Sequence, residues 1–448
     1  MSPSNSPDRS SPGSRVSAGA EAHPRRLLGC IADDVTGATD LADALAERGF
    51  VTEQLFGLPD EADLDGVDAV VVGLKTRTSS PSDAVEQATR AADWLRLRGA
   101  THLFDKYCST FDSTPEGNIG PVSDALLDLL GSNTAVHCPA YPQNGRTVYE
   151  GHLFVGSQLL HETGMANHPL TPMTDSNLVR VLRPQTPHVV GHLALGTVRD
   201  PAADPVPGPL PVTVRHLIAD AISEADLEHL GRSCASSSLA CGSAAFGAAF
   251  ASAVLGPASG TRARPPAPPR GFRAILVGSA SEASRGQVAD FRAGGGQVIT
   301  LSVRELARDA AALGQLVRRT TDAVSHEPVL VAVDNDPAEV ARVQLTYGRE
   351  ESAALVEAAM GHLALALVGS GVNGLVVAGG ETSGAVVRSL GVARVLVGPR
   401  IAPGVPWTVG AGDGPSRGVA MAFKSGNFGG PGFFREALAV LEGRPGWI

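Results

Sequence analysis

Two rhythms of apolar residues alternate along this chain. Leu27–Ala32 is a short unbroken apolar run, the pattern of a strand buried on both faces. Thr39–Arg48 then repeats apolar positions at helical spacing and stops at Gly49. The alternation continues with a strand at Val67–Leu74, a helix at Ser82–Arg98 closed by Gly99, a strand at Thr101–Phe104, a helix at Ile119–Leu130 closed by Gly131, and a strand at Ala135–Cys138. From Pro184 to Thr213 it gives way to short strands and proline-rich turns, after which Ala219–Leu230 and the small-residue segment Gly242–Leu255 read as helices. A second series has strands at Ala274–Gly278, Val298–Leu301, Val329–Asp334 and Gly374–Ala378, with helices at Ser284–Ala293, Leu306–Val317, Ser352–Val368 and Ser383–Leu390. This predicts an α/β protein with mostly parallel sheets flanked by helices.

Gly256–Gly271 (GPASGTRARPPAPPRG) separates the two series. Its prolines supply no ladder hydrogen bonds and it has nothing to bury, so it reads as a linker. The expected organisation is a tail over 1–26, a substrate domain over 27–255, the linker over 256–271 and a nucleotide domain over 272–443. The active site is expected in the cleft between the domains. The length of 448 residues agrees with two domains of roughly 100–200 residues each. The tail is rich in Ser, Pro, Gly and Arg, has no apolar centre like that of a secretory signal, and reads as disordered. No run of 18 apolar residues offers a membrane span.

Charge and cysteine usage narrow the function. The formal net charge is −10, with no basic face for nucleic acid, so any anion must be held by isolated Lys, Arg and backbone N–H groups. The five cysteines (30, 108, 138, 234 and 241) form no CxxC pair, which fits a reducing cytoplasmic compartment and neither a disulfide framework nor a zinc site. Alanine-rich helices are compatible with a homodimer.

Candidate chemistry gathers where strands end. CIADDVTGATD places Asp33 and Asp34 beyond a strand, ahead of Thr36 and Gly37, where open α/β sheets bind ligands. Such a carboxylate pair can hold hydroxyls or take a hydroxyl proton, and the plainer reading is one helix cap beside one solvated Asp. KYCSTFDSTPEGNIG sets Lys106, Ser109, Thr110, Asp112, Ser113 and Thr114 ahead of a helix opened by Gly117 and Asn118, which suits an anion. PAYPQNGRTVYEGHLFVG offers Gly145 in a turn, Arg146 as a bidentate partner for a carboxylate, and His152, which reads equally as catalytic or structural. Lys75 and Arg77 are further cations at a strand end, with surface charge as the alternative.

In the second series, LVVAGGETSGAVVRSL runs strand, Gly-Gly turn, helix. Gly379 and Gly380 admit close backbone approach, Thr382, Ser383 and Gly384 present N–H groups to a phosphate, and Glu381 could reach Mg2+ through water. Ser279 and Ser281 in VGSAS, with Lys424 and Gly426 in AFKSGNFGG, complete a triphosphate cleft. Gly369–Gly374 matches G-x-G-x-x-G but follows a helix and precedes a strand, the reverse of a dinucleotide site, and there is no P-loop.

Together these stretches resemble the four-carbon acid sugar kinase family from Leu28 to Gly430. The resemblance rests on Ile31–Asp40, Lys106–Pro121, Gly145–Val155, Gly379–Gly384 and Lys424–Gly429, and His168–Leu182 is similar to its 3-oxo-tetronate kinase branch. Val35 stands where Phe is common. The resemblance implies phosphorylation of a 3-oxo-tetronate at O4 by ATP with Mg2+, with Ser279 or Ser281, Gly380–Gly384 and Gly426 on the nucleotide. Arg146 and Lys106 would serve as cations for carboxylate and phosphate. Asp34, ahead of Asp33 and Asp112, would orient or deprotonate the hydroxyl. The alternatives are a kinase of threonate or erythronate, a non-catalytic sugar-acid sensor, and a hydrolase.

Overall fold

A computed structural model describes residues 26–59, 64–167, 171–200, 214–257, 271–309, 311–334, 336–426 and 428–442. The expected tail up to residue 25, nearly all of the expected linker, and residues 168–170 lie outside them.

The first half carries strands β1 (Leu27–Ala32), β2 (Thr52–Phe56), β3 (Ala69–Gly73), β4 (Ala100–Lys106), β5 (Ala135–Cys138), β6 (Arg146–Tyr149), β7 (His152–Val155), β8 (Gln158–Leu159), β9 (Val189–Leu193), β10 (Val214–Ala219) and β11 (Leu239–Gly242). The second carries β12 (Phe272–Val277), β13 (Gln297–Leu301), β14 (Val329–Val333), β15 (Val372–Ala378), β16 (Arg394–Ala402), β17 (Val405–Gly410) and β18 (Ala420–Lys424). Two separate sheets are expected from sequence, but the halves share one. Its order is β13-β14-β12-β15-β18-β17-β16-β2-β3-β1-β4-β11-β5-β10-β9, and β6-β7-β8 form a small sheet of their own. The join is the antiparallel pair β2–β16, with Arg394 opposite Leu55. Arg394 reinforces it with an ion pair to the buried Glu53 at 2.7 Å, and Phe56 meets Phe423 edge-on.

In each half the first strand lies between neighbours whose helices cover the other face. β1 lies between β3 and β4. Its helix, Val35–Glu47, packs with Ala244–Leu255, while Pro81–Leu97 and Ile119–Leu130 pack together. β12 lies between β14 and β15. Its helix, Glu282–Ala293, puts Val288 and Phe291 in one core, while Arg349–Gly369 and Gly380–Ser389 contribute Leu363 and Val386 to another. Such reversals open a crevice at the carboxyl ends of the strands, where ligands bind.

Several elements depart from the sequence reading for local reasons. The first helix starts at Val35 rather than Thr39 because Asp34 caps it. Ala219 closes β10, and the next helix waits for the Ser223 cap before Glu224–Ser233. Gly242 ends β11, and Ser243 caps Ala244–Leu255. Leu306–Val317 is divided between Val303–Arg308 and Ala312–Val324. Gly380–Ser389 starts directly after Gly379, whose φ of +123° suits only glycine. Although no run of 18 apolar residues exists, Arg349–Gly369 is long and apolar enough to cross a membrane. Its Met360, Leu363, Ala364 and Leu367 are buried in the core of this fold.

Candidate active site

Parallel register brings the ends of β1, β3 and β4 level, with Ala32 opposite both Gly73 and Lys106. The Asp33 N–H donates to the Lys106 carbonyl, and the N–H groups of Thr76 and Arg77 donate to the Asp33 carbonyl. The backbone thus places two carboxylates beside two cations. Arg77 donates to Asp33 through Nε and Nη2 at 2.8 and 2.7 Å, and Nη2 also reaches Asp34 at 2.8 Å. Asp34 further accepts from the Gly37 N–H at 2.8 Å and the Thr36 hydroxyl at 2.7 Å.

These surroundings push the two carboxyls apart. Burial raises Asp33 above the usual carboxylate range against the pull of Arg77. Burial also opposes charge on Asp34, but Arg77, Lys106, Thr36 and the Gly37 N–H outweigh it and hold that carboxyl low. Buried Lys106 donates to the Tyr107 carbonyl at 3.0 Å and exerts its charge on Asp33, Asp34, Asp40 and Asp105.

The hydroxyl-rich loop after β4 is only partly free for a ligand. Thr110 donates to Asp112 at 2.6 Å, and Gln185 donates to the Ser113 hydroxyl at 2.9 Å. Asn118 does not present its amide outward. Its Nδ2 ties down the carbonyls of Thr76 and Ser79 at 2.6 and 3.0 Å, so it holds the loop that carries Arg77. Its Oδ1 is buried with no partner. Gly117 leaves no room for a side chain, since a β-carbon there would meet the Ser113 hydroxyl. Ser109 is half-buried in the same loop, and Phe111 adopts φ +53°, an arrangement that costs on the order of 1 kcal/mol and clusters at functional loops.

Asp33, Arg77, Asp112, Ser113 and Asn118 line one cavity of about 30 Å³, together with Asp105. Asp105, which the sequence reading passes over, is buried, and burial followed by the Asp33 charge pushes its carboxyl up to about 8.

The third stretch makes mainly local contacts. Arg146 donates to the Asn144 carbonyl at 2.6 Å, and its Nε is buried without a partner. Gly145 takes φ +69° to close the turn. His152 bonds to the Glu150 carbonyl at 2.7 Å and lies near Asn177, as a structural histidine would. The stretch touches the acidic cluster through Tyr141, whose backbone pairs with Arg146 and whose hydroxyl donates to Asp40 at 3.3 Å. Both lie inside motifs flagged in the sequence, but neither is singled out there as a candidate, because each resembles an ordinary loop or helix residue.

In the second half, three turns come together at the end of β12. Ser281 and Ser284 donate their hydroxyls to the Gly426 carbonyl at 2.7 and 2.9 Å, and Ser279 donates to Ser281 at 3.2 Å. The Gly379 N–H donates to the Lys424 carbonyl at 2.9 Å, and the Ser279 N–H to that of Ala378 at 3.2 Å. Gln287, absent from the sequence reading, braces the third turn through the Phe428, Gly429 and Gly430 carbonyls. Backbones approach so closely that a β-carbon on Gly278 would meet Thr382, and one on Gly426 would meet Ser279.

Two helix N-termini, those of Glu282–Ala293 and Gly380–Ser389, therefore flank one strand end, an arrangement that favours phosphate. Gly380 and Glu381 are exposed in the first turn of the second helix, and Thr382 is buried. The Ser383 hydroxyl is buried with no partner, and Gly384 faces Lys75. Lys424 is fully buried, donates to the Gly426 carbonyl at 3.2 Å, and is lowered by burial to about 8. Glycine cradle, orphan hydroxyl and buried cation all fit a nucleotide triphosphate. Among the described residues no His, Cys, Asp and Glu cluster holds a metal by itself.

Known proteins divide the chain in the same way. Residues 28–250 match the sugar-binding N-terminal domain family, and residues 274–434 match the nucleotide-binding C-terminal domain family. A 3-oxo-tetronate kinase of Cupriavidus necator is 47% identical over 439 residues, covering 96% of this chain and all of the relative. One from Pseudomonas savastanoi is 46% identical, covering 94% of this chain and 98% of its own. The crystal structure of a Haemophilus influenzae protein, 37% identical, superposes with a TM-score of 0.80 over 92% of this chain and all of that one. Its two domain matches and its near-full-length relatives place this chain in the 3-oxo-tetronate kinase family.

Proposed function

We propose that the chain transfers the γ-phosphoryl group of ATP to the terminal O4 hydroxyl of a 3-oxo-tetronate. The products are ADP and 3-oxo-tetronate 4-phosphate. The observation that carries this reading is the pairing of two unlike crevices on one sheet, an acidic one with embedded cations at β1 and a glycine-and-hydroxyl cradle at β12. The sugar half spans 27–255 and the nucleotide half 272–443, with the reaction in the cleft between them. Five free cysteines accord with a reducing cytoplasmic setting.

Phosphoryl transfer asks mainly for positioning and charge neutralisation. The O4 oxygen bonds to the γ-phosphorus while the bond to the β–γ bridging oxygen breaks, and that oxygen leaves on ADP with the electron pair. The hydroxyl proton passes to Asp33 and then to solvent. Asp33 suits this task better than Asp34, which sequence alone puts first. Both carboxylates are engaged, Asp34 by the helix cap and Arg77 and Asp33 by Arg77 at both oxygens, but Asp34 is held low whereas burial raises Asp33, which therefore takes up a proton more readily. Lys106 orients the carboxylates, and Arg146 takes the substrate carboxylate. Gly380, Thr382, Ser383, Ser279, Ser281 and Gly426 cradle the phosphates, with Lys424 beneath. Mg2+ would neutralise phosphate charge, held by the phosphates and by Glu381 through water, as is usual for this ion.

A coupled ADP-release assay with 3-oxo-tetronates, threonate and erythronate tests the reading. Turnover should be fastest with the 3-oxo acids. Asp33→Asn should lower it about 10²–10⁴-fold with ATP affinity unchanged. Acid and nucleotide binding without ADP would instead mean a sensor, and phosphate release without ATP a hydrolase.

A further inference from the structure

Phosphoryl transfer concentrates negative charge between donor and acceptor, so the cations near the path must be free to meet it. Most of the cations around the two crevices are already engaged. Arg77 is held by Asp33 and Asp34, and Lys106 is buried and donates to the Tyr107 carbonyl. Arg388 is held by Glu357 at 2.9 Å, and Lys424 donates to the Gly426 carbonyl. Lys75 differs. It is exposed, and its ammonium has no hydrogen-bond or ion-pair partner among the described residues.

Its position is also distinctive. Lys75 belongs to the sugar half, in the loop after β3 that the Asp33 carbonyl and Asn118 pin down. The Lys75 carbonyl itself accepts the Ser79 hydroxyl at 2.9 Å. Yet the side chain reaches the helix Gly380–Ser389 of the nucleotide half. A β-carbon on Gly384 would lie 3.3 Å from Lys75 Nζ, 3.9 Å from its Cε and 3.4 Å from Arg388 Nη1. The glycine thus leaves a gap that the Lys75 ammonium shares with Arg388, whose guanidinium is already paired with Glu357. A rigid loop that also bears Arg77 holds one unpaired ammonium against the cradle's own helix.

We propose that Lys75 is a catalytic residue whose ammonium crosses the domain boundary to neutralise the phosphoryl group as it passes from ATP to the sugar acid. This rests on the kinase reading. The step gains no new bond or proton, since the lysine stays protonated and acts as a charge. The role differs from carboxylate binding, the other use open to a cation at this strand end.

The test is steady-state kinetics on Lys75→Met, Lys75→Arg and Gly384→Ala, with ATP and acid affinities measured by calorimetry. Lys75→Met should reduce kcat at least about 100-fold, as loss of a transition-state charge does. It should leave the KM for the sugar acid and the melting temperature unchanged, and Lys75→Arg should restore part of kcat. Gly384→Ala should reduce kcat about tenfold by displacing the ammonium, and have little further effect on the Lys75→Met background.

Retention of kcat within threefold by Lys75→Met overturns the proposal, as does a raised KM for the acid at unchanged kcat. A Gly384→Ala loss that persists in full without the lysine overturns it too. Failure of the wild-type protein to release ADP with any tetronate would instead sink the kinase reading itself.

Discussion

The two halves solve the same topological problem with different chemistry. Each sets its first strand between neighbours whose helices lie on the opposite face, and each gathers its candidate residues at that strand's end. At β1 the gathering is ionic, with Asp33, Asp34, Asp105, Arg77 and Lys106 in one cluster. At β12 it is mostly backbone and hydroxyl, with glycines letting three turns touch and a single buried lysine below. Fixed dipoles suit a polyphosphate, which brings its own charge. A cluster of paired charges suits a small hydroxy acid, whose hydroxyl must be activated and whose carboxylate must be held. The sheet therefore supplies the place and the side chains supply the ligand class.

Arg77→Ala would break the ionic side most severely. Asp33 and Asp34 would face each other without their shared cation while largely buried. Breaking a fully buried pair removes roughly 3–5 kcal/mol of stability, and somewhat less here because these side chains are partly exposed, and turnover should fall by about 10²–10³ with the lost electrostatic positioning. ATP affinity, measured by calorimetry on the folded variant, should stay at the wild-type value. An equal loss of ATP affinity would show that the two crevices are not separate binding sites.

Gly278→Ala probes the other side. Its β-carbon would clash with the Thr382 hydroxyl and lie 3.1 Å from the Thr382 Cβ, so either the Thr382 side chain turns away or the turns after β12 and β15 separate. ATP affinity should weaken at least about tenfold, or 1.4 kcal/mol, while sugar-acid affinity persists. If the acid is weakened as strongly as the nucleotide, the division of labour fails.

The sequence makes this division legible to different depths. Strand-end motifs are readable because glycine, hydroxyl and charge at a strand-to-helix junction have few uses other than turns and ligands. The three turns flagged in the second half of the sequence do converge. What stays hidden is non-local. TEQLF gives no strand signal because Thr52, Glu53 and Gln54 are polar, yet they are buried in β2, the strand that joins the halves. The β16–β17–β18 ribbon likewise becomes a feature only once β2 and β15 stand on either side of it. Asp105 is inconspicuous inside a strand until pairing with β1 sets it near Asp33. Asn118 shows the converse, a helix-opening residue that reads as a ligand donor and serves as a clamp on the Arg77 loop.

The smallest effect tests where the two halves meet. Asp43, on the helix that Asp34 caps, is buried and accepts from Arg400 Nε at 2.8 Å and from the Gly404 N–H at 3.0 Å, both in the β16–β17 hairpin. A β-carbon on Gly404 would lie 3.1 Å from Asp40 on one side and 3.1 Å from Phe428, in the turn after β18, on the other. The hairpin tip thus links the sugar helix to the nucleotide cradle. Burial pushes Asp43 up to about 7, against the pull of Arg400 and the Gly404 N–H. The folded chain therefore holds this proton more tightly than the unfolded chain, so its contribution favours folding at acid pH and is lost as pH rises from about 4 to 7 and beyond. Asp43→Asn keeps an oxygen for one donor and removes the titration. Between pH 6 and 8 the wild-type melting temperature should fall about 1–2 °C further than that of the variant. Equal slopes would mean that Asp43 is already charged at pH 6, leaving the halves joined by an ordinary ion pair.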